Sequence, residues 1–193
     1  MVNVDILLLT YGGRGGKNPN LSKIRKEEFL QAKELLGNIN AFFLGYEDGE
    51  LDKKIDLLSL DISKIISRSN YNGIFVPYIL DSSMDHRICN YSLAQALEDS
   101  VSQDIYIAMY EVWTPILHPN HYIDISKEFC KKYVALKCYK TQEKYYHIIE
   151  KTKLLNALRS QLSMRYNLEY MECFKGFSFH DYNSVVEWHK TNK

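Results

Sequence analysis

The sequence predicts an α/β fold, a Rossmann-like, mostly parallel sheet with flanking helices, and three observations lead there. Short apolar segments alternate with longer stretches of helical character along most of the chain. The first of them, VDILLL, is apolar throughout, as in a strand buried on both faces of a parallel sheet. No repeat, low-complexity tract or Pro/Gly/Ser linker interrupts the alternation, so residues 1–193 are read as a single domain.

The elements follow in order. A strand over 4–9 leads into the polar loop YGGRGGKNPN. Ser22 can cap the next helix, with Glu27 and Glu28 near its positive end. Ile24, Ala32, Leu35 and Leu36 approximate its buried stripe, and Gly37 suits its stop. A short strand over 41–44 precedes the loop GYEDGE and a helix over 52–67. The strand over 73–76 ends at Pro77, and a loop through Asp85 enters a helix over 86–102. A strand over 105–110 follows, then the loop TPILHPNHY and a helix capped by Ser126 that runs to 139. Further helices are expected over 143–174 and 181–190. In such sheets, sites form at the carboxyl ends of the strands, so loops 10–20, 45–51, 77–87 and 111–122 are where function is sought.

Composition narrows the classes. With 193 residues, 46% apolar and 25% charged, the chain can bury a globular core. Lys plus Arg equals Asp plus Glu at 24 each, which argues against a nucleic-acid partner. Fifteen Tyr can serve core, interface or sugar stacking. No apolar run is long enough for a membrane span, and the first residues lack a basic signal region. Cys89, Cys130, Cys138 and Cys173 are widely spaced and are read as reduced thiols of a cytoplasmic protein.

Several motifs invite chemistry. The GGRGG loop lacks a G-K-[ST] ending and does not match the dinucleotide fingerprint, so it reads as a loop whose glycines relieve strain. In YILDSSMDHR, Asp85 and His86 stand where a strand-end loop enters a helix. A neutral imidazole there could bind a metal with a nearby carboxylate fixing its tautomer; a capping Asp beside a surface His is the bland alternative. His118-Pro119-Asn120-His121 has no Cys or acidic ligand beside it. The Tyr/Lys stretch 139–146 reads as a solvated helix face, and no G-x-S-x-G elbow appears.

Taken together and in order, the loops resemble the PIG-L/LmbE deacetylases. VDILLLTYGGRGG with IRKEE is similar to that family's second strand, Gly-rich loop and Ile-Arg-x-x-Glu helix. FFLGYEDGEL is close to its Leu-Gly-Tyr-x-Asp-Gly-x-Leu, and VPYILDSSMDHR to its His-x-Asp-His loop. YEVWTPILHPNHYIDIS with KKYVALKCYKTQ is a fourth match, and LEYMECF a weaker fifth.

The resemblance implies removal of an N-acetyl group from an amino sugar or its conjugate. It implies zinc held by the His and second Asp of an N-terminal His-Pro-Asp-Asp-Glu motif and by the last His of His-x-Asp-His. The first Asp of the N-terminal motif would act as general base on the zinc-bound water. Carried onto this sequence, His86 is the third zinc ligand and Asp85 orients a neighbouring group. Arg25 and Asp48 line the sugar side, and Glu111 and Trp113 fall near the same end of the sheet.

There are two departures. Ser83 stands where the family has the oxyanion-stabilising His, and losing such a donor typically costs about 10²–10³ in rate. The family's first, central strand and its His-Pro-Asp-Asp-Glu motif are missing from these residues, which would leave two strands with unpaired edges. This chain alone is therefore expected to hold no zinc and to be inactive. A longer parent sequence, a second chain supplying the segment, or a degenerate homologue would each explain it. The reading from a different class is a non-catalytic module that binds a sugar or a partner protein.

Overall fold

The structure is a computed structural model, and it describes residues 3–14, 16–98, 105–163 and 167–192. In chain order the elements are β1 (Val4–Thr10), α1 (Leu21–Leu36), β2 (Ile39–Tyr46), α2 (Ile55–Ile66), β3 (Gly73–Pro77), α3 (Met84–Glu98) and β4 (Tyr106–Tyr110). They continue as β5 (His121–Asp124), α4 (Phe129–Leu136), α5 (Lys140–Tyr146), α6 (Ile148–Leu162), β6 (Met171–Phe177) and α7 (Phe179–Thr191). The chain divides into two compact units, Met1–Asp48 with Tyr122–Glu172, and Gly49–His121 with Cys173–Lys193.

In the first unit β1 and β2 pair in parallel, with Val4 opposite Ile39 and Leu8 opposite Phe43. Their sheet has two strands, so each strand has one paired edge among the described residues. No residue of β1 or β2 is fully buried, which corrects the expectation of a strand buried on both faces. Cover comes in part from α1, whose Phe29 meets Phe43 edge-on at 5.8 Å.

Helix α1 starts at Leu21, and no side chain caps it. Ser22 lies inside the first turn rather than before it, and no acidic residue stands in that turn. Glu28 does other work. It is 6% exposed, and its carboxylate accepts from the Thr141 backbone N–H (2.8 Å) and hydroxyl (2.7 Å). A carboxylate from α1 thus satisfies an orphan N–H at the start of α5. The buried stripe of α1 is Leu21, Glu28, Phe29 and Ala32; Leu35 and Leu36 lie on the exposed side. Gly37 ends the helix at φ 114, as expected.

Two further expectations fail here. Ser126 caps no helix: its hydroxyl donates to Asp124 (2.6 Å) and accepts from the N–H groups of Glu169 (3.0 Å) and Tyr170 (3.2 Å). Helix α4 begins only at Phe129, whose ring stacks on Tyr170 with centroids 3.6 Å apart. The reading of one or two helices over 143–174 holds as far as Leu162 and fails at its end. His147 turns the chain at φ 50 between α5 and α6, and Met171 opens β6. Met171, Cys173 and Phe174 are buried in that strand, a pattern of strand period rather than helix.

In the second unit β3 and β4 are parallel, Gly73 facing Tyr106 and Pro77 facing Tyr110. β6 pairs antiparallel to β4, Phe177 with Ile107 and Phe174 with Tyr110. The strand order is β3-β4-β6-β5. With β1-β2 and β3-β4 both parallel the pairing is mostly parallel; β6 is the antiparallel exception, and β5 and β6 are both strands that the sequence does not predict. A short 3-10 turn at Leu51–Lys54 precedes α2. Leu51, Leu58, Ile88, Leu97, Ile107, Met109, Tyr182 and Val186 are each at most 2% exposed and form the core. The predicted end of α3 near residue 102 lies outside the described residues. Ser178 caps α7, accepting from the Asp181 N–H at 3.2 Å.

Candidate functional site

Each parallel pair ends where the sequence directs attention, at loops after Thr10 and Tyr46 in one unit and after Pro77 and Tyr110 in the other. In the first unit, Arg25 and Asp48 converge on the Gly-rich loop. Arg25 Nη1 donates to the Gly12 carbonyl at 2.5 Å. Gly12 has φ 67, and a Cβ there would stand 2.7 Å from that same Nη1, so glycine admits the guanidinium. Arg25 Nε and Nη2 are buried and have no hydrogen-bond partner among the described residues. Asp48 closes the loop from the other side, accepting from the Arg14 N–H (3.0 Å) and the Thr10 hydroxyl (3.4 Å). A cavity of about 410 Å³ lies here, lined by Tyr11, Arg14, Ser22, Tyr46, Glu47 and Asp48 among others.

In the second unit the organising group is Asp81, a residue that the motif reading passed over. It is 0% exposed. Its Oδ1 accepts from the Ser83 N–H (2.9 Å) and lies 3.0 Å from His86 Nδ1. Its Oδ2 accepts from the N–H groups of Trp113 (2.8 Å) and Thr114 (3.1 Å). Burial would raise its pKa, but the bonds from His86, Ser83 and Trp113 outweigh that and hold it below the usual value. Arg87 clamps the same turn through the carbonyls of Asp81 (2.7 Å) and Ser82 (3.3 Å). Asp81 was legible in principle, because an Asp accepting from the N–H two residues on is an Asx turn.

The expected site residues thus fall into separate tasks. His86 stands in the first turn of α3 with 26% of its side chain exposed and is held by Asp81. Asp85 faces elsewhere: its Oδ2 accepts from the Gly49 N–H at 2.6 Å, and its buried Oδ1 has no partner among the described residues. Ser83 contributes its backbone to the turn, its N–H to Asp81 and its carbonyl to the Arg87 N–H. Glu111 accepts from the Ile116 N–H at 2.8 Å, which shapes the loop carrying Trp113. Trp113 is 37% exposed.

The cysteines and the second His segment are quieter. All four cysteines are free, and burial pushes the Cys89 thiol up to about 12. The His121 ring meets the Tyr106 hydroxyl and the Asn120 side chain, each at 3.0 Å. Among the described residues no three His, Cys, Asp or Glu side chains gather to hold a metal. His86 offers one ring nitrogen once Nδ1 faces Asp81, so the residues described do not by themselves make a zinc site.

By class, this is an α/β protein with mostly parallel strand pairing and polar loops at the strand ends. The chain belongs to the PIG-L family of deacetylases: the family described as "PIG-L: GlcNAc-PI de-N-acetylase" matches residues 1–97. No curated protein matches it. Solved structures share its fold. N,N'-diacetylchitobiose deacetylase from Pyrococcus horikoshii, complexed with an inhibitor, is 21% identical at TM-score 0.77, covering 94% of this chain and 75% of that one. The conserved protein TT1542 from Thermus thermophilus is 21% identical at TM-score 0.74, covering 89% and 80%. The 4-carboxy-2-hydroxymuconate hydratase GalB from Pseudomonas putida KT2440 is 17% identical at TM-score 0.72, covering 89% and 82%. A deacetylase and a hydratase on one fold show that activity is settled by the site.

Proposed function

We propose that this chain is part of a zinc-dependent N-deacetylase for an amino sugar or its conjugate, inactive alone and completed by a segment or second chain carrying the remaining ligands and the general base. Membership of the PIG-L family supports the reaction class. The observation that carries the reading is His86, placed at the start of α3 with Nδ1 on a buried carboxylate and one ring nitrogen left for a ligand. Arg25 supports the sugar side, since its buried Nε and Nη2 need acceptors that a ligand can supply. Asp48 and Glu111 serve their own loops, yet a carboxylate keeps lone pairs for a substrate hydroxyl. The half-exposed β1, with its run of Ile and Leu, suits pairing with a supplied strand. Four free cysteines fit a cytoplasmic setting.

The test is acetate release from N-acetylglucosamine conjugates, with zinc content measured in parallel. The chain alone should release none. With a strand-motif-helix segment carrying His-Pro-Asp-Asp-Glu, fused or in trans, zinc and activity should appear together. His86→Ala should abolish both, and Ser83→His should raise the rate by up to about 10²-fold. If the completed protein binds zinc but stays inactive even with Ser83→His, a sugar- or partner-binding module replaces this reading.

A further inference from the structure

We propose that Asp81 is the positioning residue of this site: its buried carboxylate sets the tautomer and direction of the His86 imidazole and ties the Trp113–Thr114 turn to it. The inference rests on the reading of His86 as the ligand-bearing residue. The neighbouring Asp85, the residue that sequence favours for this task, faces the Gly49 N–H instead.

The argument follows from how the two oxygens are used. An ionised carboxylate only accepts hydrogen bonds, so the proton between Asp81 and His86 belongs to Nδ1. A neutral imidazole carries one proton, so Nε2 is left as the acceptor. The other oxygen takes two backbone donors, from Trp113 and Thr114, more than thirty residues along the chain. One group with 0% exposure therefore joins the turn after β3, the start of α3 and the loop after β4. Both oxygens must accept, and among side chains of this length only aspartate can do that.

Asparagine at this position is forced to choose. Turning its NH₂ toward Trp113 and Thr114 would set it against two fixed N–H donors. Turning its NH₂ toward His86 opposes only the Ser83 N–H, and the imidazole can answer by moving its proton to Nε2. Asp81→Asn should therefore reverse the His86 tautomer, which a merely structural tie to the loop would not do.

The experiment is long-range ¹H–¹⁵N NMR of the metal-free chain labelled in its six histidines, at about pH 8 where imidazoles are mainly neutral. The His86 signals are assigned by their loss in His86→Gln. Wild type should show protonated Nδ1 and bare Nε2, and folded Asp81→Asn should show the reverse. Wild type with protonated Nε2, or a folded Asp81→Asn that keeps protonated Nδ1, overturns the proposal. If Asp81→Asn does not fold, the wild-type tautomer decides alone. Because no metal or turnover enters the readout, a reversed tautomer beside an inactive completed enzyme would sink the deacetylase reading and leave Asp81 in its role.

Discussion

Asp48 and Asp81 perform the same local task in different surroundings. Each follows a parallel strand and accepts backbone N–H groups from a loop distant in sequence. Asp48 is half-buried, with one backbone donor and one hydroxyl, the latter at 3.4 Å. Asp81 is fully buried, with three backbone donors and an imidazole, all at 3.1 Å or less. The sheets behind them differ in the same sense. β1 and β2 have no fully buried residue, whereas Ile107 and Met109 of β4 are 0% exposed. Hydrogen bonds to a buried charge are strong because no water competes for the donors, so the second unit should hold its site loops firmly and the first should yield.

The largest expected effect tests that contrast directly. Asp81→Ala leaves three N–H groups and an imidazole without their buried acceptor and should cost about 4 kcal/mol. Asp48→Ala, with water able to replace the carboxylate, should cost about 1 kcal/mol. Urea unfolding of the two variants gives the comparison, and equal losses would break it.

A second contrast concerns the cores. Leu58 is 0% exposed, and Leu58→Ala should cost about 3 kcal/mol through lost burial and the cavity left behind. Leu7 is half-buried in β1, and Leu7→Ala should cost about 1 kcal/mol. A Leu7→Ala loss as large as that of Leu58→Ala would mean that β1 is covered in solution.

The smallest effect is a dependence on pH that sharpens the account of Asp81. Its pKa is lowered from 3.8 in the fold, so its charged form stabilises the folded state. That contribution is full above the unfolded value of 3.8 and is lost as pH falls through the lower folded value. The stability gap between wild type and Asp81→Asn should therefore be constant near neutrality and narrow below pH 3.8. A gap that stays unchanged at lower pH would show that Asp81 is not ionised in the fold.

What could be read in advance follows the reach of each signal. Strand positions over 4–9, 41–44, 73–76 and 105–110 fall within observed strands except Ile105, one residue before β4, because an apolar run between loop residues is a local pattern. The start of α3 beside Asp85 and His86 was equally local. β6 was misread as helix because its Met, Cys and Phe suit either element until pairing with β4 decides. Ser22 and Ser126 looked like caps, but a cap depends on where the backbone turns, and the turns come at Asn20 and Glu128.

By itself the sequence determined the α/β alternation, the loops that carry the polar residues, and the family to which the chain belongs. Only the tertiary structure decided which carboxylate serves His86. Asp85 is adjacent in sequence, but a residue one place along a helix points about 100° away. Asp81 sits five residues earlier in a turn that brings its oxygen within 3.0 Å of the ring. Its other oxygen closes on Trp113 and Thr114 through contacts 32 and 33 residues apart, set by the parallel pairing of β3 and β4 rather than by any local pattern.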